Sequence, residues 1–207
     1  MDLIIIRHAL PEREERADHE GPADPPLSEH GRRQAEAVAD YLADEPIDHV
    51  VASSMRRAVQ TAEPLAQRLG CTVELRDDLR EVDQHRSTYI PAEEMTLEHP
   101  MVQEWMSDPL ALFDGDYKGF RTRVVTGFDE IIATQRGKSV AVYCHGMVTS
   151  VYLQSLWGLA DPYRMQPDYT GITRVRASVK GYRTVRSINE TGHVRHLLGE
   201  ERLRPTA

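Results

Sequence analysis

A chain of 207 residues, 40% hydrophobic and 28% charged, can bury the core of one domain and lies outside the disordered and membrane-embedded ranges. Its 33 acidic against 25 basic side chains leave a formal charge of −8, which argues against a nucleic-acid partner. A small anionic ligand stays open, because a pocket can be basic inside an acidic shell.

Leu3–Ile6 is a continuous aliphatic run, the pattern of a strand buried on both faces, and it ends in Arg7-His8. Ahead of it stands neither the basic start nor the long apolar segment of a leader peptide. No stretch approaches the roughly 20 apolar residues that cross a bilayer. Cys71 and Cys144 stand far apart in no metal-type spacing. A soluble protein in a reduced, cytoplasmic setting, without a membrane partner, is expected.

Residues 9–27 are charged and punctuated by Gly21-Pro22 and Pro25-Pro26, which predicts a long loop. Ser28 can cap a helix that turns Ala35, Val38, Ala39 and Leu42 to one face. Asp48–Ala52 reads as a second strand. Beyond Ser53-Ser54 a second helix carries Ala58, Ala62, Leu65 and Leu69 inward, and Pro64 is expected to kink or restart it. Cys71–Leu75 reads as a third strand, leading to Leu79-Arg80-Glu81. Residues 91–107 are expected to be partly helical, with Pro100 as an interruption. Phe120, Val124, Phe128, Ile131 and Ile132 mark an amphipathic helix. Ser139–Tyr143 is the next buried strand and runs into Cys144-His145-Gly146, with a helix over about 147–157. Ile172–Val179 and Arg183–Ile188 read as two late strands joined at Lys180-Gly181. Alternating strands and helices predict an α/β sheet covered on both faces.

Three strand-to-helix junctions carry unusual polar residues: Arg7-His8, then Ser53, Ser54 and Arg57, then His145-Gly146. Ligands of open α/β sheets bind beyond the carboxyl ends of the strands, so a mostly parallel sheet brings these residues together. Two arginines and two histidines at helix N-termini describe an anion site, because the guanidinium fork matches phosphate oxygens and the helix dipole favours the same charge. Nearby arginines would repel a cation, and neither His-Glu-x-x-His nor Cys-x-x-Cys spacing occurs, so no metal is expected. A neutral imidazole in a phosphate site can act as a nucleophile, and one carboxylate can protonate the leaving oxygen and later activate water. Glu81, after the third strand, is the candidate carboxylate.

Arg7-His8-Ala9, Leu27-Ser28-Glu29-His30-Gly31 and Ser53-Ser54-Met55-Arg56-Arg57-Ala58 with Gln60-Thr61-Ala62 resemble, in order, the motifs of the histidine phosphatase superfamily, which includes the cofactor-dependent phosphoglycerate mutases. Leu79-Arg80-Glu81 resembles its acid-bearing segment, and Cys144-His145-Gly146 its second histidine. Ile172-Thr173 and Asn189–His193 resemble its closing strands. The resemblance implies a three-layer α/β/α sandwich with a mostly parallel central sheet and an inserted helical lid, formed by residues 1–207 as a single domain with about 85–120 as the lid. It further implies that His8 is phosphorylated, that Arg7, Arg57, His145 and Gly146 hold the phosphoryl group, and that Glu81 is the proton donor. His8, Glu81 and His145 are then the catalytic residues, no cofactor is needed, and a homodimer is possible.

The chain departs from the family pattern at three places. Ala9 stands where glycine is usual, and would be strained if that position required positive φ. The asparagine that often follows the first motif has no counterpart in 10–26, where Arg13 or Arg16 are the available substitutes. Val82-Asp83-Gln84-His85-Arg86 replaces a Gly-rich stretch. Trp105, Met106 and Phe113 are candidates for an apolar substrate face. The expected reaction is hydrolysis of a small phosphate monoester through a phosphohistidine. Phosphoglycerate mutase-type transfer and a silent phospho-ligand binder are the alternatives.

Overall fold

The central sheet is built on aliphatic runs whose side chains alternate between two cores. The computed structural model describes residues 1–17, 20–91, 94–95, 98–108, 110–159 and 165–198. Parts of the loop 10–26, of the segment 91–107 and of the expected lid (18–19, 92–93, 96–97 and 109) therefore lie outside the described residues. The strands are β1 (Asp2–Arg7), β2 (Glu14–Glu15), β3 (His49–Ser53), β4 (Val73–Arg76), β5 (Thr88–Tyr89), β6 (Ser139–Cys144), β7 (Ile172–Ala177) and β8 (Arg183–Glu190). The helices are α1 (Glu29–Leu42), α2 (Arg56–Leu69), α3 (Pro100–Ser107), α4 (Tyr117–Thr134) and α5 (Gly146–Trp157).

Six strands form one sheet in the order β4-β3-β6-β1-β7-β8. The first four are mutually parallel, and β7 and β8 are antiparallel additions on the far side of β1. Leu3 and Ile5 of β1 and Val140 and Val142 of β6 pack with Val124, Phe128 and Ile131 of α4 and Val148 and Val151 of α5. Ile4, Ile6, Ala141 and Tyr143 face the other way, onto Val38 and Leu42 of α1 and Ala62 and Leu65 of α2. Period-two alternation on a sheet buried on both faces thus yields a three-layer α/β/α arrangement with a mostly parallel sheet. Among the described residues no helix is long and apolar enough to cross a membrane.

Two prolines act differently from expectation. Pro64 lies inside a continuous α2 and does not restart it. Pro100 opens α3 instead of interrupting a helix, because the missing N–H of a first-turn proline costs no helical bond; His99 Nδ1 accepts from the Met101 amide as the cap. The stretch 82–90, which carries no strong sequence pattern, contributes β5. Its two residues pair antiparallel with β2, so the loop after β1 is docked beside the segment after Glu81.

Gly31 shows what locks that loop at its far end. The Ser28 side chain caps α1 by accepting from the Gly31 amide at 2.9 Å, and its hydroxyl donates to the Leu10 carbonyl at 3.0 Å. A Cβ on residue 31 would lie 1.9 Å from that same carbonyl oxygen. Gly31→Ala is therefore expected to lower stability by about 1–3 kcal/mol, the usual cost of forced overpacking, measured by urea unfolding. An unchanged midpoint would show that the Leu10 loop moves freely.

Candidate active site

The register of the three central strands makes the site. Arg7 of β1 pairs with Cys144 of β6, and Ala52 of β3 pairs with Tyr143, so Arg7-His8, Ser53 and His145 leave the sheet at one level. The His8 amide continues the ladder by donating to the Cys144 carbonyl at 2.9 Å. The rings of His8 and His145 come within 5.1 Å between centroids. Arg7, His8, Arg57, Glu81 and Gly146 line one cavity of about 270 Å³, with His145 buried beneath it.

His8 is 3% exposed, and its Nδ1 lies 2.8 Å from the Ala9 carbonyl oxygen. A carbonyl only accepts, so Nδ1 carries the proton and Nε2 keeps a free lone pair. Burial, then the charges of Arg57 and Arg7, hold the His8 pKa well below its ordinary value, so the ring is neutral at physiological pH. Ala9 has no positive φ and bears no such strain. Its amide donates to Thr61 Oγ1 at 3.0 Å, and the Thr61 hydroxyl donates to the Arg57 carbonyl, tying the end of β1 to the first turn of α2.

His145 is fully buried. Its Nε2 lies 2.8 Å from Ser53 Oγ, and its Nδ1 is buried without a hydrogen-bond partner. With the Ser53 hydroxyl donating to Nε2, Nδ1–H is left as a donor for an incoming oxygen. Burial, then Arg57, His8 and Arg7, depress the His145 pKa as well. Ser53, whose Oγ also accepts from the Met55 amide at 3.3 Å, thus orients this histidine.

The arginines are held by different means. Arg7 Nη1 donates to the Pro167 carbonyl at 2.7 Å, its guanidinium carbon stands 4.0 Å from the Tyr169 ring centroid, and its Nε has no partner. Arg57 is 0% exposed. Its Nη2 donates to both oxygens of Asp83, at 2.9 and 3.1 Å, while Nε and Nη1 are unpartnered. Burial opposes the Arg57 charge, but Asp83, with Tyr89 and Glu81, outweighs it and the pKa is raised. Asp83 thus fixes one nitrogen of the fork and leaves the others for an anion.

Glu81 follows a 3-10 turn, Asp77–Leu79, at the end of β4. Arg123 of α4 donates through Nη1 to the carbonyls of Asp78 and Arg80, both at 2.9 Å, clamping the segment that delivers Glu81. The carboxyl accepts from the amides of Val82 and Met147, each at 2.9 Å. Even so its pKa is pushed up to about 7, mainly by burial and then by the Asp83 carboxylate. Gly146 lies beside both Glu81 and Arg7: a Cβ there would meet Arg7 Nε at 3.6 Å and Glu81 Oε2 at 3.9 Å.

Arg13 and Arg16 do not enter the site. They pair with Glu15 and Glu94, and with Glu14, away from the cavity. Of the three apolar candidates only Trp105 lines the cavity; Met106 is exposed and Phe113 is buried in the core. Among the described residues no group of three or more His, Cys, Asp or Glu is placed to hold a metal ion.

Residues 3–191 match the family model of the histidine phosphatase superfamily, branch 1. The chain belongs to that superfamily. A bifunctional protein of Mycobacterium tuberculosis is 30% identical over 200 residues, 93% of this chain and 54% of that protein. Phosphoserine phosphatase 1 of Hydrogenobacter thermophilus is 31% identical over 108 residues, 52% of this chain and 51% of its own. The chain thus spans about half the length of the mycobacterial relative, and the match to the phosphatase covers about half of each chain. In fold it is similar to YhfR of Bacillus stearothermophilus, with a TM-score of 0.73 at 20% identity, covering 93% of this chain and 98% of that one.

The Asp83 contact generates a prediction. Its charge raises the Glu81 pKa, so Asp83→Asn is expected to lower it from about 7, read by ¹³C NMR of the labelled carboxyl. A Glu81 titration that does not move would remove Asp83 as a cause.

Proposed function

We propose that this superfamily member hydrolyses a phosphate monoester through a phosphohistidine on His8. The observation that carries the reading is the His8 ring itself, buried and neutral, with Nδ1–H committed to the Ala9 carbonyl and Nε2 free beside two arginines with unpartnered nitrogens. In this scheme Arg7, Arg57, the His145 Nδ1–H and the start of α5 at Gly146 hold the phosphoryl oxygens. Such prepositioned donors meet the charge that develops on the transferred group.

His8 Nε2 forms a bond to phosphorus as the ester P–O bond breaks, and the departing oxygen takes the Glu81 proton. Water then attacks phosphorus, Glu81 accepts its proton, the N–P bond breaks and phosphate leaves. A carboxyl with a pKa of about 7 suits both halves, since each of its forms is populated near neutrality. Residues 85–120, which supply Thr88, Tyr89, Met101, Trp105 and Leu112 to the cavity, serve as the lid of a single domain. Family membership and a phosphoserine phosphatase among the relatives support this reading.

Rapid quench of the protein with phosphomonoesters in excess chelator, followed by mass spectrometry, tests it. The expected result is a phosphate adduct on His8 with phosphate release, both lost in His8→Ala. Turnover without an adduct, or unchanged in the variant, rejects the mechanism, and a lasting adduct with little release points to transfer onto a second hydroxyl.

Glu81→Gln is expected to slow adduct formation from an alkyl phosphate by roughly 10²–10⁴-fold, the usual worth of a general acid, and far less from 4-nitrophenyl phosphate, whose leaving group needs no proton. Equal losses on both esters would take the proton-donor role away from Glu81.

The pH dependence follows in sign. Glu81 is protonated below about 7 and loses its proton as pH rises through that value, whereas His8 stays neutral well below its ordinary pKa. Adduct formation is expected to decline above about pH 7 in the parent protein, and this limb should vanish in Glu81→Gln. Stopped-flow bursts across pH 5–9 check it.

A further inference from the structure

The phosphate end accounts for only the floor of the cavity. Above it the walls come from the α3 segment, the start of α5 and the residues just before β7. Met101 and Trp105 of α3, Met147, Met165, Met95 and Leu112 all line the cavity. These six side chains are predominantly apolar, beside the polar Thr88, Tyr89 and Gln166 of the same lining, and four of the six are methionines, whose thioethers adapt to irregular shapes and pack well on aromatic rings.

The charged groups on the same walls are already committed. Asp83 is engaged by Arg57 Nη2. Arg86 donates through Nη2 to the Leu112 carbonyl at 3.2 Å and to Asp114 at 3.4 Å. Among the described lining residues, the one cation outside the phosphate end is Arg86, and its charge is already paired with the Asp114 carboxylate at 3.4 Å. A carboxylate on the substrate alcohol would have to displace Asp114 from Arg86 and would otherwise meet Asp83 and an apolar wall, an unfavourable place for an unpaired charge. The cavity, about 270 Å³, sits just under the roughly 300 Å³ at which small-molecule pockets usually begin, so the alcohol is also limited in size.

Resting on the phosphatase reading above, we infer that the substrate is a phosphomonoester of a small, uncharged, predominantly apolar alcohol, of the kind that carries an aromatic ring, seated among Trp105, Met101, Met147 and Met165. Esters whose alcohol bears a carboxylate are discriminated against. Trp105 is then a specificity-determining residue.

Binding and turnover are measured side by side. Isothermal titration with benzylphosphonate and with 3-phosphonopropionate compares an aromatic and a carboxylate-bearing ligand sharing one phosphonate head. The expected result is a Kd at least tenfold lower for benzylphosphonate. Turnover compares benzyl phosphate with 3-phosphoglycerate and phosphoserine, all esters of primary alcohols, so leaving-group reactivity does not dominate the comparison. The expected kcat/KM for benzyl phosphate is at least tenfold higher, chiefly through KM. Trp105→Ala should cut that preference at least fivefold and Trp105→Phe should restore most of it.

Equal or reversed preference in either assay overturns the inference, as does a preference untouched by Trp105→Ala. Tight benzylphosphonate binding with no adduct and no turnover of any ester would uphold the apolar seat while overturning the phosphatase reading, so the two failures are distinguishable.

Discussion

The parallel pairing of β3, β6 and β1 is the constraint on which the site depends. Because β1 and β6 are in register through Arg7 and Cys144, and β3 and β6 through Ala52 and Tyr143, three chain segments distant in sequence end side by side. A one-residue slip in either pairing would turn every side chain of that strand to the opposite face, exchanging the two cores and removing His8 or His145 from the cavity. The aliphatic alternation that feeds α4 and α5 on one side and α1 and α2 on the other opposes such a slip, so core packing and site geometry are set by the same register.

The second constraint is electrostatic. Arg57 is fully buried and Arg7 nearly so, which is costly unless each guanidinium finds partners. The protein supplies them incompletely. A backbone carbonyl and the Tyr169 ring hold Arg7, and Asp83 with the Tyr89 ring holds Arg57, while Nε of both and Nη1 of Arg57 are left unpartnered. Unsatisfied buried donors are a standing destabilisation that an anion relieves. Burial first, and then the same positive charges, keep His8 and His145 neutral, and burial with Asp83 keeps Glu81 able to hold a proton near neutrality. Each titrating group is therefore tuned by burial and by the charges around it.

Positioning extends beyond the groups that face the cavity. Arg123 organises the turn before Glu81 through backbone carbonyls, Ser53 selects which nitrogen of His145 carries the proton, and Thr61 links the end of β1 to α2. Each acts through hydrogen bonds to elements that the sheet has already placed, which is why short polar side chains suffice for two of them.

Much of this was determined by the sequence itself. The aliphatic runs at 3–6 and 139–143 and the amphipathic pattern of α4 dictate the sheet and its covering helices, because period-two and period-3.6 burial leave few alternatives. That Arg7, His8, Arg57, Glu81, His145 and Gly146 gather beyond the strand ends was legible from the sequence. Only the tertiary structure decided the rest. Asp83 acquires meaning from a guanidinium 26 positions away, and Ser53 from a histidine 92 positions away, contacts to which local pattern carries no signal. Pro100 was misjudged because the cost of a proline depends on whether its N–H position falls where a helical bond is required, and at the first turn of α3 it does not. The apolar part of the cavity lining likewise exists only once α3 brings Met101 and Trp105 to the same cavity as Met147 and Met165, because a methionine in sequence does not say which cavity it will line.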